Sequence, residues 1–270
     1  PRWWAAIFRD FRFTADSSTR GDFIIHGNTQ QRAAKLYWGH AALRNVHYKE
    51  VPIDQGDVIV RGRGRYVELP RLEAHSGGGW ARGKLAFTSR KDAIRAPVSV
   101  RYDFDARMPL TAAQKLFGAN VSALIDDFEV SALPKISLSG VRFNPAYPEY
   151  AGHTHLDLTA VAETPLEFKQ VPLDHLQFTL HKRADIAHLR ELHFGYAQGS
   201  GSGAIDILSP PQQPPALRFK LALNGAHQTT ALQNLPKLTQ LKPQPQDDSA
   251  ERRDEAPADP GRVDLPLHAQ

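Results

Sequence analysis

Residues 51–88 read VPIDQGDVIVRGRGRYVELPRLEAHSGGGWARGKLAFT, and they lie over residues 171–209, VPLDHLQFTLHKRADIAHLRELHFGYAQGSGSGAIDILS, at a spacing of about 120 residues. Val51-Pro52-x-Asp54 falls on Val171-Pro172-x-Asp174, Leu69 and Leu72 on Leu189 and Leu192, and Gly79 and Gly83 on Gly199 and Gly203. With a shift of one residue the match continues. Val98, Val100, Tyr102 and Phe104 then fall on Leu217, Phe219, Leu221 and Leu223, and Thr111-Ala112-x-Gln114-x-Leu116 falls on Thr230-Ala231-x-Gln233-x-Leu235. Two copies of one β-rich supersecondary unit make up most of the chain.

Period-two alternation predicts strands over 22–27, 57–61, 66–74, 80–88, 98–106, 136–143, 155–160, 176–180, 186–196, 204–208 and 217–224. In Val98-x-Val100-x-Tyr102-x-Phe104 the large apolar groups take one face, while Ser99, Arg101, Asp103 and Asp105 take the other. That is the pattern of an antiparallel sheet with one apolar and one wet side. Helices are few: Thr111 is placed to cap one that runs through Ala112 and Leu116 and extends up to Ile125, and Thr230 opens its counterpart, which Pro236 shortens. A third helix is expected over 30–43, where alanines, Leu36, Tyr37 and Leu43 form an apolar stripe. Because Gly21 precedes Val51 by 30 residues and Gly152 precedes Val171 by 19, this segment reads as an insertion into the first unit.

The fold expected is all-β: an elongated, twisted antiparallel sheet of tandem repeats with a few short helices, bent along its length so that its apolar face forms a groove. A two-layer β-sandwich is the alternative. Residues 1–50 read as the truncated leading part of the repeat array with a helical insertion, 51–170 as the first unit, 171–241 as a second, incomplete unit, and 242–270 as a disordered acidic and Pro-rich tail. The sheet is expected to run from one unit into the next without a domain boundary between about residues 143 and 171.

The 270 residues carry 33 Lys and Arg against 29 Asp and Glu. A net charge of +4 spread along strand positions, with no dense basic block, gives no footprint for nucleic acid. There is no cysteine, which excludes disulfides and thiolate metal sites while tolerating an oxidising compartment. No run of 18 apolar residues occurs, and the opening Pro1-Arg2-Trp3-Trp4 reads as the cut end of something longer.

Motifs for chemistry are weak. Ser76-Gly77-Gly78-Gly79-Trp80-Ala81-Arg82-Gly83 lacks the Gly-Lys-Ser/Thr ending and the helix of a phosphate loop, and its glycines suit a tight hairpin or bulge. Of the twelve histidines, His153 and His155 would share a strand face, with His175, His181, His188 and His193 further on, yet the nearby carboxylates form no compact ligand pattern. No metal and no cofactor is expected. Gly201-Ser202-Gly203 lies between two strands rather than on a nucleophile elbow, and Asp126, Asp127 and Glu129 read as the wet side of a helix end. No catalytic residue is assigned, and the chain is expected not to be an enzyme. Trp3, Trp4, Phe8, Phe11 and Phe13 crowd the start of the chain and form the candidate interaction surface, toward the remainder of the same polypeptide or another protein.

The recurring phrase of a Leu-x-x-Leu step, a glycine-rich turn and a further alternating strand appears twice, as Leu69-Pro70-Arg71-Leu72 to Gly79-x-x-x-Gly83-x-Leu85 and as Leu189-Arg190-Glu191-Leu192 to Gly199-x-x-x-Gly203-x-Ile205. On these residues the chain resembles the C-terminal β-rich region of the AsmA-like family, to which TamB and the YhdP-type proteins are related, over roughly residues 21–241. The resemblance implies a long sheet folded into a groove lined by aliphatic side chains, anchored in the inner membrane and facing the periplasm. It also implies a part in moving phospholipid between membranes or in supporting outer-membrane assembly, with no catalytic residues. The expected function is thus noncatalytic, with a phospholipid or other acyl-chain lipid as partner. Val98, Val100, Tyr102, Phe104, Leu217, Phe219, Leu221 and Leu223 are the candidate groove lining, and the same eight side chains would equally suit a closed core. A protein-interaction or scaffold module of a larger envelope assembly is the alternative.

Overall fold

The computed structural model describes residues 10–27, 35–89, 97–117, 128–209, 214 and 216–230. Twelve strands form one antiparallel sheet whose order in space follows the order of the chain. They are β1 (Phe11–His26), β2 (Leu36–Tyr48), β3 (Val51–Arg63), β4 (Tyr66–Ser76), β5 (Gly79–Ser89), β6 (Pro97–Arg107), β8 (Lys135–Phe143), β9 (His155–Ala162), β12 (Leu176–Arg183), β13 (Ile186–Tyr196), β14 (Gly199–Leu208) and β15 (Ala216–Asn224). A small second sheet pairs β7 (Phe128–Val130), β10 (Leu166–Phe168) and β11 (Val171–Leu173). At a strand spacing of about 4.8 Å the large sheet is roughly 50 Å across. The architecture is elongated and is not closed into a barrel. Each strand predicted from alternation is present.

The two copies agree in backbone detail. The β4–β5 hairpin turns at Gly77 and Gly78, with φ of 56° and 77°, and the β13–β14 hairpin turns at Ala197 and Gln198, with φ of 50° and 66°. Two consecutive left-handed residues match the right-handed twist of the flanking strands, which is why this turn type closes two-residue hairpins. Lys49 and Glu50 turn between β2 and β3 as Lys169 and Gln170 do between β10 and β11. The Leu-x-x-Leu step is a β-bulge in both copies. Leu69 faces Leu85 and Leu72 faces Gly83, just as Leu189 faces Ile205 and Leu192 faces Gly203. One extra residue on the bulged strand brings both leucines to the same face, where strict alternation would have separated them.

The copies differ where β3 has its counterpart. Residues 171–183 are split between β11 and β12, so the short sheet of β7, β10 and β11 does in the second copy what the adjoining ends of β1, β2 and β3 do in the first. Phe11 faces Tyr48 in one and Phe128 faces Phe168 in the other.

The helix expected over 30–43 is corrected. Residues 36–43 belong to β2, paired with β1 on one side and β3 on the other, and 30–34 lie outside the described residues. The alanines suggested a helix, but Tyr37, Gly39, Ala41 and Leu43 alternate onto one face, and pairing along both edges outweighs weak local propensity. Among the described residues no helix therefore stands between β1 and β3. The helix at Thr111 is α1 (Leu110–Phe117), which begins one residue earlier, so that Thr111 sits in its first turn rather than capping it. Residues 228–230 are helical, so the helix expected to open at Thr230 begins two residues earlier, while 118–127, 231–241 and the tail 242–270 lie outside the described residues.

The sheet runs on between copies: β6 pairs with β8, β8 with β9 and β9 with β12. It is a single layer, which decides against the sandwich. Apart from α1 against β3, a 3-10 turn (Pro148–His153) against β8 and β11 against β13, the substantial contacts join strands that are neighbours in a sheet. Buried apolar residues gather toward the strand ends, among them Leu43, Val46 and Val51 beside the Lys49 turn and Leu166 and Val171 beside the Lys169 turn. Among the described residues Val46 alone is a fully buried large side chain.

Candidate functional site

Residues directly opposite in a sheet share a face, so register shows which side chains form one surface. Phe104 on β6 faces Leu138, Leu138 faces Leu158, and Leu158 faces Leu180. Leu180 faces Leu189, Leu189 faces Ile205, and Ile205 faces Phe219 on β15. One unbroken apolar row thus joins the two strands singled out from sequence. Val100, Tyr102 and Phe104 stand at one end of this row, and Leu217, Phe219, Leu221 and Leu223 on the last strand stand at the other, all on the same face, while Val98 falls at the register shift between β5 and β6 and has no residue directly opposite.

Their correspondence between copies is corrected by two residues. Gly83 faces Phe104, whereas its counterpart Gly203 faces Leu221 and not Leu223, because the β5–β6 hairpin, with its register shift, takes 21 residues from the glycine to its partner and the β14–β15 hairpin takes 18. An even-numbered slip leaves every side chain on its face.

The middle of this row is half-buried. Phe104, Leu138, Leu158, Leu180, Leu189 and Ile205 are each intermediate in exposure, and Phe219 is 64% exposed. Aromatic rings lie flat along the surface rather than standing up from it. A Cβ added at Gly201 would run into the ring of Phe194, and one added at Gly83 into that of Phe104. Tyr102 likewise passes over Gly140, where a Cβ would come 2.7 Å from its hydroxyl, and donates to the carbonyl oxygen of His155 at 3.3 Å. Burial among these apolar neighbours pushes the Tyr102 phenol above its ordinary range. The result is a broad, smooth apolar surface with few polar groups.

The opposite face is charged. His40 meets Asp57 at 2.7 Å, His181 meets Asp157 at 2.8 Å with Arg183 at 3.1 Å, and His188 meets Asp206 at 2.8 Å with Arg190 beside it. The hydrogen bonds from His181 and Arg183 hold Asp157 below the usual carboxylate range, and those from His188 and Arg190 do the same for Asp206. Gln55, Asp57, Arg71, Glu73 and His75 line a small polar recess there. These groups pair with one another across strands, and among the described residues no three His, Asp or Glu side chains converge as a metal site. His153 lies in the 3-10 turn rather than on the strand with His155, so the two imidazoles do not share a strand face.

Of the candidate interaction surface, Trp3, Trp4 and Phe8 lie outside the described residues. Phe11 packs on Tyr48 with ring centroids 4.9 Å apart and 6.3 Å from Phe13, which is 44% exposed at the start of β1. Sequence reasoning left out the central members of the apolar row, Leu138, Leu158, Leu180, Leu189 and Ile205. Their alternation was visible, but membership in one row is a property of register.

Comparison of the chain with protein-family models, curated proteins and solved structures finds no match.

Proposed function

We propose that this chain is a noncatalytic segment of a cell-envelope protein whose apolar sheet face binds or conducts the acyl chains of phospholipid, or of another acyl-chain lipid, between membranes or in support of outer-membrane assembly. The observation that carries the reading is the half-exposed row from Phe104 to Phe219, which no second sheet covers among the described residues. Each methylene moved from water onto such a surface is worth about 0.8 kcal/mol, so a chain is held without specific polar contacts. A periplasmic location, as part of an inner-membrane-anchored protein, rests on the resemblance to the AsmA-like family and is compatible with a chain free of cysteine.

The second reading is a scaffold module that docks on the rest of its own polypeptide or on another envelope protein, and it rests on the aromatic cluster of Phe11, Phe13 and Tyr48. Photoreactive residues at Phe104, at Asp103 on the opposite face and at Trp4 separate the two in cells. The lipid reading expects lipid adducts at Phe104 and none at Asp103. Protein adducts at Trp4 with no lipid at Phe104 would overturn it in favour of the scaffold.

A further inference from the structure

The end strands of the large sheet, β1 and β15, each have a backbone edge with no strand beside it among the described residues. Such edges template pairing with another strand. The internal repeat shows what kind of strand fits. β6 and β15 are counterparts, since Phe104 and Leu221 stand opposite the equivalent glycines Gly83 and Gly203. β8 and β1 are counterparts too. Leu138 reaches Leu180 through Leu158, and Phe23 reaches Val60, the residue equivalent to Leu180, through Gly39. Inside the chain, β6 pairs with β8. The strand that fits the edge of β15 left open among the described residues is therefore one of the β1 type.

We propose that the chain associates head-to-tail with a second copy of itself, β1 of one copy pairing antiparallel with β15 of the next in the register of the β6–β8 joint. Phe104 facing Leu138 and Tyr102 facing Gly140 become Leu221 facing Phe23 and Phe219 facing Ile25 across the new joint. Apolar side chains meet apolar side chains, and the apolar face continues from one copy into the next. On the other face Asp103 facing Ser139 becomes Lys220 facing Ile24. Exposure agrees with this: Ile24 at 61%, Ile25 at 59%, Leu217 at 61% and Phe219 at 64% are the most exposed large apolar residues of the described chain, and all four lie on these two strands. The joint is heterologous, so it extends into a row of copies unless it closes on itself. It pairs through backbone edges, and so stands whether or not lipid occupies the apolar face.

The chain has no cysteine, so single thiols report on the joint directly. Ile24→Cys and Lys220→Cys, both at exposed positions, are mixed and treated with a short bismaleimide, with circular dichroism confirming that each is folded. The expected result is a crosslinked dimer in the mixture and little in either variant alone, with Ile24→Cys and Asn224→Cys, four residues out of register, failing to link. Equal crosslinking of the variants alone would mean that like edges pair and overturns the proposal. A sedimentation mass that stays monomeric as concentration is raised overturns it as well.

Discussion

The hydroxyl of Tyr102 on β6 donates to the main-chain carbonyl of His155 on β9, at 3.3 Å, crossing the whole of β8 to do so. This bond spans the joint between β6 and β8, the counterpart of β1, and it depends on what lies beneath it. Gly140, opposite Tyr102, leaves the space that the ring occupies.

Gly140→Ala should therefore destabilise the protein by about 1–3 kcal/mol, through overpacking against the ring and the neighbouring backbone. Tyr102→Phe, which removes only the hydroxyl, should cost about 1 kcal/mol. Urea denaturation of the two variants checks the order. A Gly140→Ala protein as stable as the parent would mean that the ring does not lie across the glycine.

Leu158 stands between Leu138 and Leu180 in the middle of the apolar row. A carboxylate there is held away from polar partners, and Leu158→Asp should cost about 2–3 kcal/mol. Because β6, β8, β9 and β12 form one continuous ladder, both copies should melt together at a lower temperature in scanning calorimetry. Two transitions, with the first copy keeping its original melting point, would show independent domains.

The equivalent turns at Gly77-Gly78 and Ala197-Gln198 offer a reciprocal test, since both require left-handed backbone. A side chain in that region costs roughly 1–2 kcal/mol, which glycine avoids. Gln198→Gly should accordingly raise stability by about 1 kcal/mol, and Gly78→Gln should lower it by a similar amount. Melting temperatures of the pair that shift in the same direction would contradict the shared turn geometry.

Asp157 is held below the ordinary carboxylate range by His181 and, next, by Arg183. A folded pKa below the unfolded one means that the stabilisation is fully present above the unfolded pKa, about 3.9, and is lost as pH falls through the lower folded value. The cluster faces solvent, so Asp157→Asn should cost only about 0.5 kcal/mol near neutral pH. That difference from the parent protein should shrink below about pH 4, as read from denaturation curves across the acid range.

Alternation along the chain determined the strands of the large sheet other than β2, though not the short β7, β10 and β11, and the recurrence of Val-Pro-x-Asp, Leu-x-x-Leu and the glycine turns determined that one unit is used twice, because strand faces and hairpin turns are set by neighbours within a few residues. The same local signals misled at β2, where alanines imitated a helix that pairing along two edges overrode. Both ends of the apolar row, at Phe104 and Phe219, were legible in that way. What lay between them was not: register decided that Leu138, Leu158, Leu180, Leu189 and Ile205 form one row, and that Leu221, rather than Leu223, is the counterpart of Phe104. Tertiary structure alone decided too that the sheet stays a single open layer, since identical alternation fits a sandwich, and that Val171-Pro172-Leu173 leaves the large sheet to join β10 while Val51-Pro52-Ile53 stays in it. Nearest-neighbour patterning fixes which face each side chain takes, but which strands lie side by side, and whether anything covers them, depends on contacts between residues far apart in the chain.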